Sequence, residues 1–136
     1  MEIATIRLLF DSGLVILIWM IQLVVYPGFL YYEKDSLIKW HKHYTSRLSL
    51  IVIPLMFGQL ILAVIQLVQF PAIETIVGLS LVIAVWASTF LQFVPIHNQI
   101  LKNNSTVTLL KQLVKRNWLR TILWTLIFCW SIFSNL

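Results

Sequence analysis

Residues 6–29 read IRLLFDSGLVILIWMIQLVVYPGF, an almost uninterrupted apolar run with Pro27 and Gly28 near its end. A helix needs about 20 apolar residues to cross the hydrocarbon of a bilayer. The run is too long for the apolar region of a signal peptide, and no small-residue cleavage site follows it. We therefore predict a retained membrane-spanning helix that leaves the bilayer at Pro27.

Further apolar runs continue this pattern, at about residues 48–70, 75–96 and 117–136. With 60% hydrophobic and 11% charged residues among 136, the chain is too apolar for a soluble domain of this size. Four spans with short loops leave little chain for a second unit. The sequence predicts one all-α domain, residues 1–136, which is an integral membrane four-helix bundle with the lipid bilayer as its partner.

The connections between the runs are short. Pro71 marks a minimal turn between the second and third spans. Residues Leu30–Tyr44 and Thr106–Arg116 are amphipathic and predict short cytoplasmic helices. The second one has Ser105 as its predicted N-cap and runs into the fourth span. Pro54 lies inside the second span and predicts a kink there, which a membrane helix tolerates when its neighbours bond the freed carbonyl.

Basic residues concentrate in the first and third connections. All of the 10 lysines and arginines except Arg7 lie there: Lys34, Lys39, Lys42, Arg47, Lys102, Lys111, Lys115, Arg116 and Arg120. By the positive-inside rule we expect a multi-pass cell-membrane protein with these two loops in the cytoplasm and both termini outside. The net charge of +5 is thus a topology signal, and we expect no nucleic-acid partner.

The cysteine and glycine content bears on disulfide or redox chemistry and on dimer formation. Cys129 is the only cysteine, so one chain can form neither a disulfide framework nor a CxxC redox pair. The four glycines are too few for a convincing GxxxG dimer face, which leaves the oligomeric state open.

Each predicted span has one polar face when plotted at about 100° per residue. In chain order the faces comprise Asp11, Trp19, Gln22, Tyr26; His41, Thr45, Gln59; Ser88, Gln92; and Asn117, Thr121, Trp124. Hydrocarbon offers these groups no partner, so we expect the faces to point inward. The simplest interpretation is that their amides and hydroxyls join the helices, at about 0.6 kcal/mol each. Similarly, Arg7 and Asp11 would form an ion pair at the outer interface.

All three histidines lie at the predicted cytoplasmic end, where the polar faces converge. Histidine exchanges protons near neutral pH and is the commonest metal ligand. His43 should point outward, because it lies about 200° from His41 around the helix. Under a roof of Trp40 and Trp118, the converging groups predict an apolar pocket for a small molecule. The competing interpretation is an aromatic belt with polar headgroup residues.

Arg120 is the strongest charged candidate for this pocket. It lies between Trp118 and Trp124 at the start of an apolar span, where a guanidinium needs an anionic or carbonyl partner. Arg47 and Arg120 could equally be positive-inside anchors.

Four short motifs resemble those of the anthrone-oxygenase-like family of small four-helix membrane proteins. They are Tyr26-Pro27-Gly28, Pro54 within the second helix, Pro95-Ile96-His97-Asn98-Gln99-Ile100-Leu101, and Asn117-Trp118-Leu119-Arg120-Thr121. The resemblance covers nearly the whole chain. It implies an oxygenase that acts on an apolar aromatic or phenolic substrate without a dedicated organic cofactor.

In the implied reaction, a base removes a proton from the substrate and the resulting carbanion or phenolate reacts with O₂. His41 or His97 would be the base, and Arg120 would stabilise the oxyanion. The implied substrate-binding residues are Tyr26, Gln22, Gln92, Asn98, Asn117, Trp118 and Thr121.

Two other functions fit the same residues. His41 and His97 could bind a haem or a metal ion from opposed helices, although no metal site is favoured and the spans lack the carboxylate cluster of a di-iron centre. Alternatively, the chain is a non-catalytic membrane subunit or carrier whose polar faces only specify packing.

Overall fold

The computed structural model describes residues 2–102 and 106–135, and within these residues every regular element is helical. Its four helices are α1 (Ile3–Tyr31), α2 (Lys34–Gln69), α3 (Ile73–Leu101) and α4 (Val107–Asn135). Each helix packs on the next, and α1 packs on α4, so the four close into a bundle. The predicted all-α four-helix architecture is therefore confirmed.

Within the described residues, three of the helices, α1, α2 and α3, are long and apolar enough to cross a membrane. The described part of α4 is not among them. Glu2, Ala72 and Asn135 border one pocket. Both chain ends therefore lie beside the turn between α2 and α3, and the basic connections lie at the opposite end, here called the basic end.

The segment Leu30–Tyr44 differs from the prediction. A short 3-10 turn, Phe29–Tyr31, ends α1, and α2 begins at Lys34 and continues through Pro54 to Gln69. The expected separate amphipathic helix is wrong, because no proline or glycine interrupts the chain between the 3-10 turn and Pro54.

The second amphipathic segment is likewise the first part of a long helix. The Leu109 N–H donates to Thr106 Oγ1 at 3.1 Å, which is an N-cap bond. The predicted cap, Ser105, lies outside the described residues.

Two π-helical turns, Ile21–Val25 in α1 and Thr89–Phe93 in α3, each precede a proline. Pro27 and Pro95 have no N–H to donate, and their rings crowd the preceding turn. The backbone widens there, so that the Tyr26 N–H donates to the Ile21 carbonyl five residues back, and the Val94 N–H does the same to Thr89. Such turns are frequent at functional sites.

The predicted polar faces do point into the bundle. The buried polar side chains include Asp11, Gln22, Tyr26, His41, Gln59, Ser88, Asn117, Arg120 and Thr121. Trp19 is the exception, since its ring is exposed and its indole N–H donates to Thr125 Oγ1 at 3.1 Å.

A cluster around Asp11 joins three helices near the end that holds the termini. The carboxylate accepts from Arg7 Nε at 3.0 and 3.1 Å and from Gln59 Nε2 at 2.7 Å. Ser131 Oγ donates to the same carboxylate. The predicted Arg7–Asp11 ion pair is therefore present, with both residues buried within the bundle near the end that holds the termini. Its place at the outer membrane interface stays a prediction.

Helices α1 and α2 approach closely where Phe10 lies against Gly58. A Cβ atom built on Gly58 would overlap the Phe10 ring, with Cδ1 at 2.7 Å and Cζ at 2.8 Å. At Gly78 the nearest atom to a built Cβ is Trp130 Cδ1 at 3.8 Å, an ordinary contact. Glycine at position 58 therefore permits this helix pair to pack.

Removing the Asp11 carboxylate should destabilise the bundle strongly. Asp11→Ala leaves the Arg7 charge buried without its partner, and breaking a buried pair in this way costs about 3–5 kcal/mol. Glu74→Ala is the matched control, since it removes an exposed carboxylate at the same end of the bundle. Thermal unfolding in detergent measures both. Equal melting temperatures for the two variants would contradict the structural role of the Asp11 cluster.

Gly58→Ala should destabilise the protein by about 1–3 kcal/mol, the usual effect of overpacking, although alanine is the better helix former. Gly78→Ala, where space exists, should be neutral or stabilising. In a Phe10→Ala background, Gly58→Ala should no longer destabilise the protein. The unfolding free energies of the wild type, the two single variants and the double variant give the coupling energy between the two positions. Additive effects would show that the contact does not set the helix spacing.

Candidate functional site

Three polar rings form a hydrogen-bonded chain at the basic end, here called the histidine relay. The Tyr26 hydroxyl lies 3.1 Å from His97 Nε2, and His97 Nδ1 lies 2.6 Å from His41 Nε2. The residues come from α1, α3 and α2. Tyr26 directly follows the first π turn and His97 lies one helical turn beyond the second, so the two helix irregularities place both residues.

The hydrogen bonds of the relay can run in either direction. A neutral imidazole has one donor and one acceptor nitrogen, so His97 must accept on one side and donate on the other. Tyr26 can donate to His97 with His97 donating to His41, or both bonds can reverse. Exchanging the two arrangements takes up one proton at Tyr26 and releases one at His41 Nδ1. His41 Nδ1, at the far end, is buried with no partner among the described residues.

Aromatic rings enclose the relay on several sides. Phe93 is stacked on Tyr26, with 6.4 Å between ring centroids and 16° between planes. Phe29 meets His41 at 5.7 Å and Tyr44 at 5.4 Å, edge to face in both cases. These contacts fix the ring orientations on which the hydrogen bonds depend.

Arg120 is buried, at 7% exposure, beside this relay. Its guanidinium carbon lies 4.0 Å from the centroid of Phe93 and 5.5 Å from that of Trp124. Its Nε is buried without a hydrogen-bond partner within residues 2–102 and 106–135, and the ion pair in this part of the chain is Arg7 with Asp11. Cation–π contacts supply about 2 kcal/mol when desolvated, which offsets only part of the several kcal/mol that burial of a charge costs.

A cavity of about 370 Å³ lies next to Arg120. Most of its wall is apolar, including Leu14, Ile18, Val52 and Met56, and no carboxylate lines it among the described residues. Three buried polar atoms at the wall have no bonding partner among the described residues, and each can donate: the Tyr44 hydroxyl, the Trp86 indole N–H and the Arg120 Nε. The Tyr44 hydroxyl can also accept, whereas the other two can only donate. The site can therefore satisfy a ligand that brings hydrogen-bond acceptors or negative charge.

The predicted site residues separate into two groups. Tyr26, His97, Asn98 and Arg120 line the cavity, and His41 is one hydrogen bond behind His97. Gln22, Asn117 and Thr121 do not line it.

These three residues form a separate polar cluster between α1 and α4. Asn117 Nδ2 donates to Gln22 Oε1 at 2.9 Å and Thr121 Oγ1 donates to the same oxygen at 3.0 Å. Gln22 Nε2 donates to the Val114 carbonyl at 3.2 Å. This placement fits the interpretation of these residues as interhelical bonds.

Two predicted pocket features lie elsewhere. Trp118 is 41% exposed and meets the edge of Trp19 at 5.8 Å, and Trp40 is 45% exposed. The predicted roof of Trp40 and Trp118 is therefore wrong, since both rings point away from the cavity. Gln92 is half-buried and does not line the cavity. His43 is exposed, as predicted.

Tyr44 and Trp86 were missed by the sequence analysis. Tyr44 lies three residues after His41 and therefore on the same helix face. Trp86 lies three residues before Thr89 and seven before Phe93, again one face. Both residues can be predicted from helical spacing if aromatic residues that carry a hydrogen-bond donor are counted as part of the polar face.

The two histidines lie too close together to share a metal ion. Metal–nitrogen bonds are about 2.0–2.1 Å long, which places two nitrogens on one ion more than about 3 Å apart. The observed separation of 2.6 Å between His41 and His97 suits a proton between the rings. Among the described residues, no group of three or more His, Cys, Asp or Glu side chains could hold a metal ion.

Comparison of the chain with protein-family models, with curated proteins and with solved structures finds no match.

Proposed function

We propose that this chain is a membrane-embedded enzyme that binds an apolar phenol or quinone in the cavity beside Arg120. One observation carries the proposal: a buried guanidinium, without an anionic partner among the described residues, lies at the wall of an apolar cavity. A phenolate or quinone oxygen would supply the missing acceptor, and the flat ring would pack on the apolar wall. The unpartnered Tyr44 hydroxyl and Trp86 indole offer further bonds to the same ligand.

The chemistry that suits the site is proton transfer. The histidine relay reaches the cavity at Tyr26 and His97, both of which line it. A ligand proton accepted at Tyr26 or His97 would move toward His41 as the bonds reverse, while Arg120 stabilises the oxyanion left on the ligand.

The specific reaction we propose is the oxygenase reaction implied by the family resemblance. The ring CH₂ group belongs to the keto tautomer of the phenol. Loss of one of its protons to the base gives a carbanion, which forms a bond to O₂, and the peroxide takes the proton back from the base to become a hydroperoxide. Elimination of water from the hydroperoxide gives the ring carbonyl of a quinone. The substrate is oxidised, O₂ is reduced, and the base ends in its starting form.

The proposed location is the cell membrane, with the basic end in the cytoplasm and both termini outside. Three apolar helices support a membrane location. The concentration of lysine and arginine at the basic end supports the orientation. A fourth span formed by α4 follows from an even number of crossings, because both termini lie at the same end of the bundle.

Arg120→Lys should weaken ligand binding more than it weakens folding. Lysine keeps the charge but loses the planar fork and the stacking on Phe93 and Trp124. We expect the affinity for anthrone, 1-naphthol or 1,4-naphthoquinone to fall tenfold or more, equivalent to about 1.4 kcal/mol. Without ligand, the difference in melting temperature between the variant and the wild type should correspond to no more than about 1 kcal/mol of unfolding free energy. Ligand titration and thermal unfolding in detergent measure the two effects.

Arg116→Lys is the matched control, since Arg116 lies one helical turn earlier on α4 and is exposed. Equal binding by both variants and the wild type would make Arg120 a topological anchor and reject the proposed site. If the binding of anthrone depends on Arg120 but no O₂ is consumed, the chain is a carrier and the proposed enzymatic function is rejected.

The topology can be mapped with single cysteines in a Cys129→Ser background. In intact cells a membrane-impermeant thiol reagent should label Glu74→Cys and Asn135→Cys. Lys39→Cys and Lys111→Cys should react only after lysis. A reactive Lys39→Cys in intact cells would reverse the orientation. Protection of Asn135→Cys would show that α4 does not cross.

A further inference from the structure

The cavity reaches the protein surface between α2 and α3. Its lining includes Ile53 and Phe57 from α2 and Phe90 and Val94 from α3. All four side chains are also exposed on the outside of the bundle, for example Ile53 at 52%. Because the same side chains border the cavity and the surface, the cavity opens sideways through the gap between these helices.

Aromatic rings flank this lateral opening. Trp86 of α3 meets Phe57 of α2 edge to face, at 5.0 Å between centroids, and it also contacts Phe90 at 5.6 Å. The Trp86 indole N–H is buried and has no partner among the described residues. The opening thus consists of apolar surface with one donor on its inner side.

The charged group of the cavity and the Tyr26 hydroxyl lie on the opposite wall. Arg120 belongs to α4 and Tyr26 to α1, and both are buried. A ligand that fills the cavity therefore places its acceptor group at Arg120 and its opposite end at the gap between α2 and α3.

The volume limits how much of the ligand fits inside. Ligand pockets usually measure about 300–1,000 Å³, so a cavity of about 370 Å³ is near the lower limit and suits a small ring system. Any longer apolar substituent must continue through the lateral opening. The exposed, purely apolar side chains there suit hydrocarbon and offer nothing to a hydrophilic ligand.

Resting on the proposed function, we infer that the ligand is a membrane-dissolved quinone or phenol with a hydrocarbon tail. The ring occupies the cavity with its oxygen at Arg120, and the tail leaves between α2 and α3 into the bilayer. The ligand reaches the site from the membrane without passing through water.

The test compares 1,4-naphthoquinone with its 2-farnesyl derivative. Both compounds are titrated against the protein in nanodiscs, and each affinity is expressed relative to the measured concentration of the compound in the lipid. Ile53→Trp places a large ring in the lateral opening. Ile61→Trp is the matched control, because Ile61 lies on the same helix with 55% exposure and does not line the cavity. We expect Ile53→Trp to lower the affinity of the farnesyl compound at least tenfold more than it lowers that of the bare ring. Ile61→Trp should change neither.

A second measurement uses the wild-type protein and so does not depend on whether the tryptophan variants fold. A naphthoquinone with a photoreactive diazirine on its tail should label residues 50–57 and 86–94 of the wild-type protein, and excess farnesyl compound should prevent the labelling. Labelling elsewhere, or equal effects of the two tryptophan variants, would overturn the lateral exit. If the bare ring fails to bind the wild type, or binds independently of Arg120, the proposed function fails instead.

Discussion

The buried charge of Arg120 is the constraint around which the basic end is arranged. A guanidinium removed from water needs an anion or several acceptors, and stacking on Phe93 and Trp124 offsets only part of that cost. Of the five acidic residues in the chain, only Asp11 is buried, and it is already bonded to Arg7 near the opposite end. The protein therefore provides no carboxylate for Arg120, and the adjacent cavity is where an acceptor can enter.

The two π turns explain how regular helices can form this site. A π turn inserts one extra residue, so every later side chain rotates by about 100° relative to an unbroken helix. Tyr26 follows the π turn of α1 and His97 follows that of α3, and the two side chains meet in the relay with His41. The prolines that follow make the wider turn favourable, because neither has an N–H to bond in an unbroken helix. The backbone irregularity and the histidine relay thus have one cause.

The sequence predicts the fold and the inward faces well because both depend on local periodicity. Tyr26, His41 and Arg120 are buried as their spacing requires. Periodicity does not determine how far along the bundle each residue lies or how it pairs with another helix. Asn117 therefore bonds to Gln22 away from the cavity, although both lie on faces that also carry site residues. The same limit explains the misplaced tryptophan roof, since an interfacial tryptophan can point outward as readily as inward.

Hydrogen-bond satisfaction separates the polar groups that hold the bundle from those available to a ligand. The Asp11 carboxylate accepts from three helices and the Gln22 carbonyl accepts from two residues of α4, which leaves them little capacity for anything else. The unpartnered buried groups on the cavity wall, on Tyr44, Trp86 and Arg120, can all donate, and those of Trp86 and Arg120 can only donate. Each buried donor without a partner costs about 1–3 kcal/mol. A ligand that supplies acceptors removes that cost and stabilises the fold in proportion to its occupancy. Because Arg120 carries a positive charge and two of the three groups can only donate, the site favours anions and carbonyls over amines and cations.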